Sequence, residues 1–217
     1  GTAIKALRRA GCRELVMAGP VRRPSLGEVR PDMTAAKFLG RVGTKALGDD
    51  GLLRAIIGVL EDEGFTLRGL HELLPDVLAQ AGRMGRHAPD AAAQRDIDRG
   101  LQVAQALGTE DVGQAVVVQQ GIVLGVEAIE GTDRLLERCA ALARGGPGGV
   151  LVKIKKPGQD ARADLPTIGV RTVEGARRAG LRGLAVGADE TVLVDPDATV
   201  AAADRAGLFL IGLERPS

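Results

Sequence analysis

Two apolar stretches, Ala115–Val118 (AVVV) and Ile122–Val126 (IVLGV), are parted by Gln119-Gln120-Gly121. Short β-branched runs on either side of a glycine-bearing turn read as a β-hairpin. This feature most constrains the second half of the chain. Antiparallel pairing here argues against a second doubly wound parallel sheet, and the helical patterns around it point to a mixed α+β unit. Those patterns cover Asp133 to about Ala143 and Ala198 to about Ala206. Strands are expected at Val150–Ile154, Leu184–Val186, Val192–Val194 and Leu208–Ile211, with a flexible Gly145–Gly149 between helix and strand.

The first half reads as helix, strand, helix, strand. Ala3–Ala10 is a short helix, Glu14–Ala18 a buried strand, and Gly19–Pro24 the loop at its carboxyl end. Helices are expected at Thr34–Ala46 and at Asp50–Glu63, the latter closing on Gly64, followed by a strand over Phe65–Leu70. Such an order suggests an α/β layer with a parallel sheet. Ala79–Ala88 has no clear period and reads as a loop. Pro89-Asp90 then opens a long amphipathic helix to Leu107, with Ile97, Leu101, Ala104 and Leu107 on one face. The domain boundary is placed at residue 80, giving 1–80 and 81–217.

Composition narrows the functions open to the chain. With 217 residues, 45% hydrophobic and 26% charged, it can bury a core of ordinary size. A net charge of +1, no Trp, no Tyr and three Phe give nucleic acid neither an electrostatic nor a stacking platform. Cys12 and Cys139 lack metal or redox spacing and read as reduced core thiols of a cytoplasmic protein. No apolar run approaches the ~18 residues of a membrane span.

Three polar clusters each follow an apolar strand. Glu127, Glu130, Thr132 and Asp133 lie where the hairpin hands over to a helix. A turn at Gly131 would let Glu130, Thr132 and Asp133 converge at the helix N-terminus. There they can cap the helix, or hold a hard divalent cation with water completing its shell. Lys153, Lys155 and Lys156 make up half of the chain's lysines. They read either as a charged, solvated strand edge or as a phosphate clamp. Asp160, Arg162 and Asp164 alternate ahead of Pro166, Thr167 and Gly169, and would share one face of an extended segment, as a surface loop or as part of a site. His71 and His87 lack a nucleophile, and neither a G-x-S-x-G elbow nor a P-loop is present. Acids, lysines and helix starts suit metal-assisted work on phosphate better than acyl transfer.

The stretches VGQAVVVQQGIVLGVEAIEGTD, VKIKKPGQDARADLPTIGVRTVEGARRAGLRGLAVGA and ATVAAADRAGLFLIGL resemble the UDP-2,3-diacylglucosamine pyrophosphatase family of lipid A biosynthesis, in the branch not built like a calcineurin-type phosphoesterase. AGPVRRPSL and the run from GDDGLLRAI to EGF echo it more weakly, and the likeness extends from about residue 2 to residue 213. The resemblance implies hydrolysis of the substrate's pyrophosphate to UMP and 2,3-diacylglucosamine 1-phosphate, with Mg2+ as cofactor and water attacking the sugar-side phosphorus. It also implies a Rossmann-like N-terminal domain and a distinctive C-terminal one. Family members begin with an apolar strand and a glycine-rich turn ahead of Gly1, so the first domain is expected to be a truncated Rossmann-like unit.

By the same likeness Asp164 matches an essential aspartate. Asp164, Glu130 and Asp133 become the candidate catalytic and metal-binding residues, and Lys153, Lys155, Thr132, Thr167, Arg162 and Gly131 the substrate-binding ones. A diacylated substrate leaves room for transient contact with the inner-membrane surface, and the oligomeric state stays open. Two rival readings stand beside the enzyme: a nucleotide-sugar or lipid-binding protein without turnover, and a structural partner whose acids only cap helices.

Overall fold

A computed structural model describes residues 2–19 and 49–214. The expected helix over Thr34–Ala46, and residues 20–24 of the expected loop, lie outside them. Two compact units are present. One comprises Gly1–Pro75 together with Gln159–Asp164, the other Asp76–Gly158 with Leu165–Ser217.

In the first unit, α1 (Thr2–Arg9) precedes β1 (Glu14–Val16), and α2 (Asp49–Asp62) precedes β2 (Thr66–Arg68). A single turn, α3 (Leu70–Leu73), follows. β1 and β2 pair in parallel, Leu15 opposite Leu67. Gly64, with φ at +86°, makes the turn between α2 and β2 that a side chain would strain. Ile4, Leu53, Ile57, Phe65 and Leu67 are buried. β1 itself is not the buried strand expected: Glu14 and Val16 are exposed, and Glu14 instead accepts a hydrogen bond from Arg68 at 2.8 Å.

The second unit is built on a mixed sheet that has six strands among the described residues. Its strands are β3 (Gly82–Arg83), β4 (Ala115–Gln119), β5 (Ile122–Val126), β6 (Val150–Lys153), β8 (Gly183–Gly187) and β10 (Phe209–Leu213). Their spatial order is β3-β10-β8-β6-β4-β5. The hairpin forms as expected, β4 antiparallel to β5. Its turn, Gln120-Gly121, has positive φ at both residues (54° and 75°), the mirror-image geometry that matches strand twist. Asp96 sits beneath the turn and accepts from the backbone N–H of Gln120 and of Gly121, at 3.1 and 2.6 Å. β6, β8 and β10 run parallel, so the sheet carries a parallel trio as well as the hairpin. The loop expected over Ala79–Ala88 contains β3, which pairs antiparallel with β10.

Helices cover both faces of this sheet. On one lies α4 (Ala91–Thr109), capped by Asp90, whose carboxylate accepts from Ala93 N–H at 2.7 Å. Its Ala93, Ile97 and Ala104 pack with Val116, Val118, Val150, Val152, Ala185 and Phe209. On the other lie α5 (Gly131–Ala140), α6 (Val170–Arg178) and α7 (Pro196–Arg205). Leu135, Leu136, Cys139, Val173, Ala176 and Ala203 meet Ala115, Val117, Leu151, Leu184 and Leu210 there. A separate parallel pair joins β7 (Thr167–Ile168) to β9 (Val192–Leu193). Cys139 is a free, fully buried thiol, and burial pushes its pKa up, whereas Cys12 is only half-buried.

The glycine stretch after α5 is fastened. Buried Gln119 donates to the carbonyls of Arg144 and Pro147 at 2.8 Å each and accepts from Arg144 N–H at 2.8 Å. No helix among the described residues is long and apolar enough to cross a membrane.

Gly100 lets α4 lie close on the sheet: a Cβ there would stand 2.5 Å from Cγ2 of Val152 and 3.0 Å from its Cβ. Val152 is β-branched and fully buried, so it has little freedom to yield. Overpacking of this kind costs ~1–3 kcal/mol, against a helix-propensity gain of about 1 kcal/mol for Gly→Ala. Gly100→Ala is expected to lower the melting temperature. A variant at least as stable as the parent would show that the helix lies farther from the sheet.

Candidate active site

The parallel strands of the second unit end at one edge of the sheet, and Lys153 is the last residue of β6 there. Alternation along β6 puts Lys153 on the same face as Leu151, toward α5 and α6. β6 is an interior strand, between β4 and β8, and Lys153 is only 6% exposed. The solvated strand edge considered for this lysine is therefore excluded. Its ammonium donates to Thr132 Oγ1 at 2.8 Å and to the Thr167 carbonyl at 3.3 Å. Thr132 Oγ1 in turn donates to Glu127 Oε1 at 2.5 Å, and Glu127 accepts from Gln114 N–H at 3.2 Å. Burying an ammonium without polar partners is costly, and this network supplies them.

The other lysines are placed differently. Lys155 lies 3.5 Å from Glu190 and Lys156 2.5 Å from Asp111, both pairs partly buried. The three side chains thus do not form one clamp.

Gly131 makes the expected turn, with φ at +78°. The acids around it nevertheless diverge. Glu130 pairs with Arg138 at 2.6 Å, and its carboxyl is held below the usual range by its own backbone N–H and then by Arg138. Asp133, exposed, pairs with Arg171 at 2.8 Å. Neither joins Glu127, which points toward the sheet. Glu130 stands at the start of α5 without a side-chain cap hydrogen bond. The convergence of Glu130, Thr132 and Asp133 is not realised, because arginines from α5 and α6 draw the two acids outward. Among the described residues no three His, Cys, Asp or Glu side chains stand together as a cation cage. Mg2+ commonly takes one or two protein carboxylates and completes its shell with water and substrate phosphate. Such a donor set fits an ion arriving with a pyrophosphate, not a dedicated protein cage.

Asp160, Arg162 and Asp164 do not share an extended face. The backbone N–H groups of Ala163 and Asp164 both return to the Asp160 carbonyl, so the segment is a turn. Arg162 grips Asp160 through Nε and Nη2 at 3.0 and 2.8 Å and reaches Glu61 of α2 through Nη1 at 2.8 Å. These carboxylates engage the fork proposed for substrate and raise the Arg162 pKa. Asp164, half-buried, accepts from Gln159 Nε2 at 2.6 Å. It does not cap α6: the N-cap is Gly169, whose N–H donates to Thr172 Oγ1. Thr167 is exposed on β7, with its hydroxyl on the Leu165 carbonyl and its own carbonyl on Lys153.

A mixed sheet clad by helices, with a buried lysine at the carboxyl end of its parallel strands, defines an α/β protein whose fixed cation suits an anionic ligand. The comparisons make this specific. Residues 80–211 match the LpxI C-terminal domain and residues 1–77 the LpxI N-terminal domain. A relative from Caulobacter vibrioides, named UDP-2,3-diacylglucosamine pyrophosphatase LpxI, is 43% identical over 226 aligned positions, covering all of this chain and 81% of its own length. The chain belongs to the LpxI family.

Arg162, by hydrogen bonding first, holds the Asp160 carboxyl below its ordinary range. A depressed carboxyl contributes stability that is present above the unfolded pKa, ~3.8–3.9, and lost as pH falls through the folded one. Arg162→Gln is expected to melt below the parent at pH 7, with the gap closing below pH ~4. Melting curves at both pH values check this. A gap that persists at low pH would mean the arginine acts through packing.

Proposed function

We propose that this chain hydrolyses the pyrophosphate of UDP-2,3-diacylglucosamine, giving UMP and 2,3-diacylglucosamine 1-phosphate, as a step of lipid A biosynthesis. Membership of the LpxI family and the name of its Caulobacter relative supply the substrate class. The observation that carries the reading is Lys153, a lysine buried at the carboxyl end of a parallel strand and held by the threonine of the EGTD motif. A fixed ammonium in a dry setting stabilises developing phosphate charge better than a solvated one, because it need not reorganise.

In this reading Lys153 binds an oxygen of the pyrophosphate. Asp164 accepts a proton from the water that attacks the sugar-side phosphorus; the new P–O bond forms as the bridging P–O bond breaks and UMP leaves. Asp164 is the residue that would hold Mg2+ together with the pyrophosphate, and the ion would neutralise charge there. Glu130 and Asp133, each paired to an arginine, support the loop around Gly131 in this scheme, and Lys155 adds positive potential. The parallel β1–β2 pair with α2 supports reading the first unit as part of a Rossmann-like layer. The two acyl chains make contact with the inner-membrane surface during substrate uptake part of the same proposal, with the protein otherwise cytoplasmic.

Purified protein incubated with UDP-2,3-diacylglucosamine and Mg2+ is expected to release UMP, to lose that activity in EDTA and to regain it with added Mg2+. Retention of the substrate without UMP would favour a binding protein instead. Asp164→Asn preserves shape and removes charge and basicity. It is expected to melt near the parent temperature and to lose at least ~10²-fold in rate. An active but destabilised Asp164→Asn would remove the residue from the chemistry.

A further inference from the structure

Glu127 has no role in the chemistry above, yet it is a carboxylate only 6% exposed at the same edge of the sheet. The strand register explains its position. Glu127 N–H donates to the Ala115 carbonyl at 2.8 Å, and Ala115 lies opposite Lys153. Glu127, Ala115 and Lys153 thus form one row across three strands, and side chains in one row share a face. Adjacent strands are ~4.8 Å apart, so the outer two residues face each other across the middle one. Because that residue is only an alanine, Thr132 from the first turn of α5 can reach between them.

Gly113 adds a second constraint. A Cβ there would fall 2.1 Å from the Glu127 carbonyl oxygen, so the chain can wrap Glu127 only with glycine at 113.

We infer that Glu127 is a positioning residue for Lys153, acting through the Thr132 hydroxyl; the inference rests on the reading of Lys153 as the phosphate contact. The direction of each hydrogen bond is forced. An ionised carboxylate only accepts and an ammonium only donates, while a hydroxyl has one proton and two lone pairs. Thr132 therefore gives its proton to Glu127 and turns a lone pair to Lys153. The 2.5 Å separation is typical of a charge-assisted O–H···O⁻ bond. Without Glu127 the hydroxyl can rotate, and its proton then competes with the ammonium. Thr132 and the Thr167 carbonyl engage two of the three ammonium donors, which leaves one N–H for a phosphate oxygen.

The test is a double-mutant cycle on the full chain, read out by kcat/KM for UMP release and by calorimetric affinity for UDP. Thr132→Val and Glu127→Gln are each expected to weaken both readouts about 10-fold, within the coupling range of contacting residues, and Thr132→Ser to stay within about 2-fold. In a Lys153→Ala background, Glu127→Gln is expected to change UDP affinity less than about 2-fold. Equal losses in both backgrounds would overturn the inference, as would a silent Thr132→Val or an unmodified chain with no measurable UDP affinity. If Glu127→Gln does not fold, Thr132→Val carries the same cycle with Lys153→Ala. Coupling on UDP without UMP release would sink the proposed hydrolysis and leave the positioning role standing. UMP release without coupling would do the reverse.

Discussion

All five residues of β4 and all five of β8 are buried, and strands of that kind can exist only in a sheet covered on both faces. Most of the second unit follows from meeting this condition. α4 lies on one side with its small Gly100, Ala93 and Ala104 against the valines of β4 and β6, and α5, α6 and α7 cover the other with leucines and alanines. Burying each Leu or Val side chain stabilises the fold by ~1.5–3 kcal/mol, so the two layers supply the main driving force. Several polar groups in this interior meet partners that the fold provides. Asp96 meets the hairpin turn, Gln119 the Arg144–Pro147 loop, and Lys153 the hydroxyl of Thr132.

Three acids within seven residues are used in three ways. Glu127 turns inward, Glu130 and Asp133 turn outward to arginines, and Gly131 between them makes the bend that separates the directions. Acids sharing one site would raise one another's pKa by several tenths to several units and would need a cation to stay ionised together. Spread as they are, each keeps a separate partner: Thr132 for Glu127, Arg138 for Glu130 and Arg171 for Asp133. In the proposed reading a pyrophosphate would meet the fixed ammonium of Lys153.

Much of the chain's layout was legible from residue patterns. Most helices and strands in the second unit fall within a few residues of where periodicity and turn residues put them, because apolar alternation and glycine punctuation are local properties. The two-residue strands β3 and β7 were not foreseen, since so short a strand is defined only by the partner it pairs with. The parallel trio β6-β8-β10 was not legible, since which strands become neighbours depends on how helices cross the sheet. Nor was the fastening of Gly145–Gly149, because the anchor, Gln119, is distant in sequence and unremarkable as a residue type. Arg162 looked available for a ligand, and only the folded chain brings Glu61 to it from α2.

The sequence by itself determined the types of the longer elements, the β4–β5 hairpin, the bend at Gly131 and the polar clusters at strand ends, all consequences of neighbours along the chain. It also carried the family likeness through EGTD and DLPTIG. Tertiary structure alone decided that Lys153 is interior and that Glu127, among three nearby carboxylates, is the one joined to it. That choice follows from strand register: pairing places Glu127, Ala115 and Lys153 in one row, and residues in a row on one face meet however far apart they are in sequence.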